Sequence, residues 1–245
     1  MLELHCCNSP NNEKVFILLE ELELEYSIRY RSIWKLQQYA PDFVALNPNS
    51  KMPVLVDSDT NSGEPIVVFE SGVILQYLAE KHGRLLPKDV EAKYEVLKWV
   101  MFQMANVGPI VGNLFHFRRF APPGSDYAFE RFRNETRRLY GVIESRLSDS
   151  VYLGGPDFSI ADIALHPWAR LHEYSEVDLR ELPSVARWLE RCSMRPGLAR
   201  AYEKTESFRA GFDETVRNTP PEHLDRIFGR KRREFGLPGE ARQRL

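Results

Sequence analysis

The chain reads as a two-domain protein, a small α/β unit followed by a larger all-helical one. Three observations predict this. Strand-like and helix-like periods alternate over residues 1–84, strand signals vanish after about residue 88, and Pro/Gly punctuation then separates long amphipathic segments. With 245 residues, 43% of them hydrophobic and 28% charged, the chain can bury a core in each unit.

The elements follow in order. Leu2, Leu4 and Cys6 lie on one face of a short strand, and Ser9-Pro10-Asn11-Asn12 is a turn and helix-start signal. Val15, Leu18, Leu19 and Leu22 recur at i, i+3, i+4 and i+7, the stripe of an amphipathic helix. Tyr26, Ile28 and Tyr30 alternate as a second strand, and the β-α-β order predicts a parallel pair with a right-handed crossover. A short helix is expected from Pro41 to Leu46. Pro53–Asp57 and Ile66–Phe69, divided by a polar stretch, predict an antiparallel hairpin. A helix from Ser71, carrying Val73, Ile74, Tyr77 and Leu78, should stop near Gly83. These elements make a mixed four-stranded sheet.

The helical unit, residues 88–207, has amphipathic segments at about 90–120, 126–149, 160–172 and 183–203. Ser159-Ile160-Ala161-Asp162 is a capping box: Ser159 caps the helix start, Asp162 reaches back, and Phe158 staples onto Ile163. That role explains Asp162 fully. Residues 208–245 form an Arg-rich C-terminal extension, in which Arg230-Lys231-Arg232-Arg233 reads as a solvated run.

Composition excludes several function classes. Thirty-three basic against 35 acidic residues leave a net charge of −2, which argues against nucleic acid as a partner. No apolar run reaches the roughly 18–20 residues of a membrane span. The three cysteines, Cys6, Cys7 and Cys192, form no disulfide framework, and the N-terminus has no signal-peptide pattern, so a cytoplasmic location is expected. The six histidines lack ligand-like spacing and no metal is expected. Phosphate-loop, HExxH, CxxC and G-x-S-x-G signatures are absent.

What remains points to a small peptide bearing a thiol. Met52-Pro53 directly precedes a strand, where a cis bond would present the backbone of Val54 to an extended peptide. Glu70-Ser71 stands at a strand-to-helix junction, a helix N-terminus suited to a carboxylate, with Glu70 placed to hold an amine. Ser9 and Asn11, between strand and helix, can hydrogen-bond a thiolate with help from the helix dipole. A free thiol has a pKa of about 8.5, and lowering it by about two units needs about 2.7 kcal/mol of differential stabilisation. Two hydrogen bonds and a helix terminus supply that much.

In this order and spacing, Ser9-Pro10-Asn11, Lys51-Met52-Pro53, Phe69-Glu70-Ser71-Gly72 and Phe158-Ser159-Ile160-Ala161-Asp162 make residues 1–207 resemble a cytosolic glutathione transferase. Gln38, Asn47-Pro48-Asn49-Ser50-Lys51, Gly108-Pro109, Tyr127–Tyr140 and Tyr152-Leu153-Gly154-Gly155 make the chain most similar to the bacterial nu class and the yeast nitrogen-regulator group. The resemblance implies a thioredoxin-like first domain with a cis Pro53, glutathione as co-substrate, and a homodimer. It implies that Ser9, where the nu class usually has Thr, and Asn11 contact the thiolate. Met52, Pro53 and Val54 would lie along the cysteinyl part, Glu70 and Ser71 at the γ-glutamyl end, and Gln38 and Lys51 at the glycine end. Arg131 would contact glutathione from the helical domain, within one subunit or across a dimer interface. The implied reaction is disulfide reduction or attack on a small electrophile. A transferase or lyase acting on a thioether, and a non-catalytic regulator, are the competing readings.

Each motif has a plainer meaning. Ser9 can be a simple helix cap, Pro53 a strand-entry proline, and Glu70-Ser71 a surface helix start. Cys6 and Cys7 should point to opposite faces, with Cys7 near enough to Ser9 for a redox role, while Cys192 serves packing. Asn106, Asn113, Phe115, His116 and Phe117 follow an aromatic-rich pattern that suits either a second-substrate pocket or a core. Trp34 is expected to shield the glycine end.

Overall fold

The computed structural model describes residues 1–231. The first unit runs β1 (Leu2–Cys6), α1 (Pro10–Glu21), β2 (Tyr26–Tyr30), α2 (Pro41–Leu46), β3 (Val54–Asp57), β4 (Ile66–Phe69) and α3 (Ser71–His82). The sheet order is β2-β1-β3-β4. β1 and β2 are parallel, and the other two pairs are antiparallel, with Leu4 opposite Leu55 and Leu55 opposite Val68. The expected crossover and hairpin are both present.

The helical unit comprises α4 (Val90–Phe102), a π-turn (Gln103–Val107), α5 (Gly108–Arg119), α6 (Asp126–Asp149), α7 (Ile160–Ala169), α8 (Pro183–Ser193) and α9 (Pro196–Arg209). The single segment expected at 183–203 is therefore two helices. Pro196 opens the second, because proline suits a first helical position but not an interior one. The expected capping box closes the start of α7, and its Asp162 also accepts from Leu153 N–H at 3.0 Å and Trp188 Nε1 at 2.8 Å. Four donors make this fully buried carboxylate a structural knot.

One apolar core runs through both units, because α1 is packed between the sheet, α3, α7 and α9. A smaller cluster of Cys7, Phe43, Met52 and Val54 fills the opposite face of the sheet. Cys6 and Cys7 thus point to opposite faces as expected, yet both are buried. Val73, expected in the stripe of α3, is half exposed at 50%; Ile74, Leu75, Leu78 and Ala79 form the buried face instead.

Two short helices follow in the extension, α10 (Phe212–Asn218) and α11 (Pro221–Phe228). Within the basic run, Arg230 donates to the Phe120 carbonyl at 2.7 Å and Lys231 pairs with Asp225 at 2.7 Å. Arg232 and Arg233 lie outside the described residues.

Candidate functional site

The sheet wall of the interdomain cleft begins where β1 passes into α1. Ser9 caps α1 from an extended backbone, and its Oγ accepts from the N–H and side-chain Nδ2 of Asn12, the latter at 2.6 Å. Both bonds are accepted, so Ser9 keeps its own proton to donate. Asn12, 1% exposed, also takes the Cys7 N–H on Oδ1 at 3.2 Å and donates to the Cys7 sulfur at 3.4 Å. The residue folded beneath Ser9 is thus Asn12, not Asn11. Its spacing from Ser9, three residues on, is the signal that could have found it.

Asn11 instead faces the helical unit. Its Oδ1 accepts from Lys14 Nζ at 2.7 Å and from Trp168 Nε1 of α7 at 3.1 Å. The indole N–H of Trp168 can only donate, so the oxygen end of the amide is assigned, and its NH2 has no partner among the described residues. Lys14 is wholly buried, with Nζ also 2.6 Å from Gln103 Oε1 and 3.5 Å from Ser71 Oγ. Burial holds its pKa well below the usual lysine range, with Glu70 pulling the other way.

At the head of α3, Glu70 is a non-glycine residue at φ 70°, and Ser71 follows with 5% exposure. A left-handed backbone costs a non-glycine residue about 1–3 kcal/mol, and such strain concentrates at functional sites. Gly72 makes a close approach to the helical unit: a Cβ there would lie 3.0 Å from Met104 Cγ, and that side chain would have to give by a few tenths of an ångström.

Met52-Pro53 is cis, and Val54 opens β3 between His5 of β1 and Phe69 of β4. Beside it, Gln38, Lys51 and Met52 line one cavity of about 550 Å³, together with Cys7, Ser50 and Ile227. The Gln38 Oε1 and Ser50 Oγ are buried there with no partner, as expected of groups awaiting a ligand. Sequence reasoning named Gln38 and Lys51 but missed Ser50 and the wall supplied by α11.

A second cavity, about 360 Å³, opens at Ser9 and Pro10 against Phe115, Phe120, Tyr174 and Phe212, with Arg119 and Arg209 at its rim. Of the residues named for this pocket only Phe115 lines it. Asn113 is exposed and bonds back to the Pro109 carbonyl, Phe117 stacks on Phe132 at 5.5 Å, and His116 packs against Phe228. Helical rotation decided this, since residues one or two apart leave a helix in different directions. Arg131 is exposed on α6 and lines neither cavity.

The roof over both cavities is the extension. Trp34, 9% exposed, is clasped by the rings of Phe120, Phe212 and Phe228 at 6.3, 5.7 and 6.3 Å, and its carbonyl meets His223 Nδ1 at 2.8 Å. Trp34 thus anchors α10 and α11 rather than lining the glycine-end cavity.

All three cysteines are buried. Desolvation pushes Cys7 up to about 11 and Cys6 to about 12, and it raises Cys192 as well. None of them is a thiolate near neutral pH. Among the described residues no helix is long and apolar enough to cross a membrane, and no group of metal-ligating side chains gathers.

Comparison with known proteins agrees with this architecture. Residues 8–81 match the glutathione S-transferase N-terminal domain and residues 111–196 its C-terminal domain. The chain is 40% identical over 207 residues to the disulfide-bond oxidoreductase YfcG of Escherichia coli, covering 84% of this chain and 96% of that protein. A glutathione transferase of Burkholderia graminis, solved with two glutathione molecules per subunit, superposes with a TM-score of 0.77 at 38% identity, over 85% of this chain and 88% of that one. A Pseudomonas putida glutathione transferase with one glutathione disulfide per subunit gives a TM-score of 0.77 at 36% identity, over 82% and 90%. The mixed sheet and the helical unit are those of a glutathione S-transferase, and the chain belongs to that family.

Proposed function

We propose that this protein is a glutathione-dependent disulfide reductase. The observation that carries the reading is the second cavity, which opens onto Ser9 in a chain whose own cysteines are all buried and protonated. The reacting sulfur therefore comes from the ligand. Glutathione would lie extended along β3, its γ-glutamyl end at Glu70 and Ser71, its glycine end among Gln38, Ser50 and Lys51. Its sulfur would sit between the Ser9 O–H and the Asn11 NH2. Those two donors and the N-terminus of α1 favour the thiolate.

The thiolate attacks one sulfur of a disulfide held in the second cavity. A mixed disulfide forms, and the departing thiolate takes up a proton. A second glutathione then attacks the glutathione sulfur, which releases the other product thiol and glutathione disulfide. Relatives solved with two glutathiones, or with glutathione disulfide, support room for both.

The aromatic lining of that cavity favours one competing reading, attack on an apolar electrophile to make or break a thioether. Glutathione-coupled reduction of a small dithiol-derived disulfide, set against conjugation of a chloronitroarene, separates the two. Turnover of the disulfide is expected to dominate, and conjugation alone would reverse the assignment. We also read the chain as a homodimer. Ile66, Val67 and Phe69 of β4, Val73 of α3 and Met101 of α4 expose apolar surface that a second subunit would cover, and Arg131 would reach glutathione only across such an interface. A sedimentation measurement giving a monomer would remove that part.

A further inference from the structure

Lys14 is the buried amine that the scheme above does not use. It lies in the second turn of α1, wholly inside the molecule, and its nitrogen reaches only neutral groups: Asn11 Oδ1, Gln103 Oε1, Ser71 Oγ and the Met104 sulfur. Among the described residues no carboxylate bonds to it, though the Glu70 charge acts on it from farther off. An apolar side chain would fill this seam without the cost of burying an amine. Two further features converge on it. The π-turn at Gln103–Val107 interrupts the ladder between α4 and α5, a distortion frequent at functional sites, and brings Gln103 and Met104 to the nitrogen. Trp168 meets the same Asn11 oxygen from α7.

We infer that Lys14 is a positioning residue for the thiolate, resting on the glutathione reading above. By donating to Asn11 Oδ1 alongside Trp168, it fixes the amide with its NH2 outward. Through the Ser71 hydroxyl it ties that orientation to the γ-glutamyl end. A free asparagine amide can turn over, and its oxygen would then face the sulfur and repel a thiolate. Two donors on one oxygen forbid that turn.

The test compares Lys14→Met with wild type by two measurements on the full chain. One is the thiol pKa of bound glutathione, read from thiolate absorbance in the ultraviolet. The other is the calorimetric Kd of S-methylglutathione, which has no thiol to ionise. Loss of positioning raises the bound thiol pKa by about one unit, a roughly tenfold loss of thiolate well below that pKa. S-methylglutathione affinity changes by less than about threefold, since the γ-glutamyl contacts remain. In an Asn11→Ala background Lys14→Met adds nothing, because the two act on one amide. Trp168→Phe removes the other donor and raises the same pKa in the same direction, which keeps the test decisive should Lys14→Met fold poorly. An unmoved thiol pKa, or additive effects in the double variant, overturns the assignment of Lys14 alone. A wild-type protein that binds no glutathione overturns the glutathione reading and this assignment with it.

Discussion

The two walls of the cleft are built by different means. The sheet wall is assembled from short local motifs: Ser9 with Asn12, the Met52-Pro53-Val54 corner, and Glu70-Ser71 at a helix head. The roof is assembled from rings far apart in the chain, Trp34 with Phe120, Phe212 and Phe228, locked by His223 on the Trp34 carbonyl. A local motif presents one chemical contact, so its loss should remove a defined interaction. A roof of ring contacts presents shape, so its loss should change access while leaving the chemistry in place.

The largest effect is expected on the sheet wall. Ser71→Ala removes a hydroxyl from the place assigned to a carboxylate, and a hydrogen bond to a charged group is worth about 1.5–3 kcal/mol. Calorimetry should therefore show glutathione affinity falling about tenfold to a hundredfold. A fall of less than about threefold would move the γ-glutamyl end elsewhere. On the roof, Phe228→Ala should loosen α11, because it deletes a ring stacked 4.4 Å from Phe120. Limited proteolysis after residue 208 should quicken and bulkier disulfides should become substrates, with glutathione Kd changed by less than about threefold. If glutathione affinity collapses with the roof, the two walls are not separable.

The smallest effect lies behind the cleft, on α7. His166 is 1% exposed, its Nδ1 is 2.7 Å from Tyr202 Oη, and burial lowers its pKa from the usual 6.5 to about 3. Folded His166 is neutral, whereas the unfolded chain takes up its proton below pH 6.5. Its contribution to stability is thus whole above that pH and is lost as pH falls from 6.5 toward 3, by up to about 1.4 kcal/mol per unit. Burial also raises Glu13 and Asp162 and lowers His5 and His116, so the His166 share between pH 6 and pH 5, roughly 1 kcal/mol of lost stability, is read by chemical denaturation as the difference in slope between wild type and His166→Gln. An equal slope in the variant would assign the loss to other groups.

Much of the sheet wall was legible because its signals are local. A cap, a strand-entry proline and a strand-to-helix serine each depend on a few neighbouring residues. The capping box at Ser159 was legible for the same reason, as was the hairpin. The helix α1 was legible only in part. Its apolar stripe showed, but its charged residues did not read as buried. Glu13 meets Arg170 and Arg209, Glu21 meets Arg195 at 2.6 Å, and Lys14 meets Asn11, because a second unit closes over the face that periodicity would leave in water. Asn113, His116 and Phe117 were misplaced for a related reason. Composition marked α5 as aromatic, but the rotation of the helix against α6, α7 and α11 selects which rings meet the cavity.

Residue order alone settled the four strands, the first helix between two of them and the helical second unit, since each element rests on caps and periodicities within about a dozen residues, and it nominated contacts for a thiol-bearing tripeptide. Only packing between distant segments settled which asparagine folds under Ser9, which side of Asn11 is free, and that the extension forms a roof. Those outcomes depend on which donors and rings arrive from elsewhere in the chain, and side-chain contacts at that range follow no sequence period.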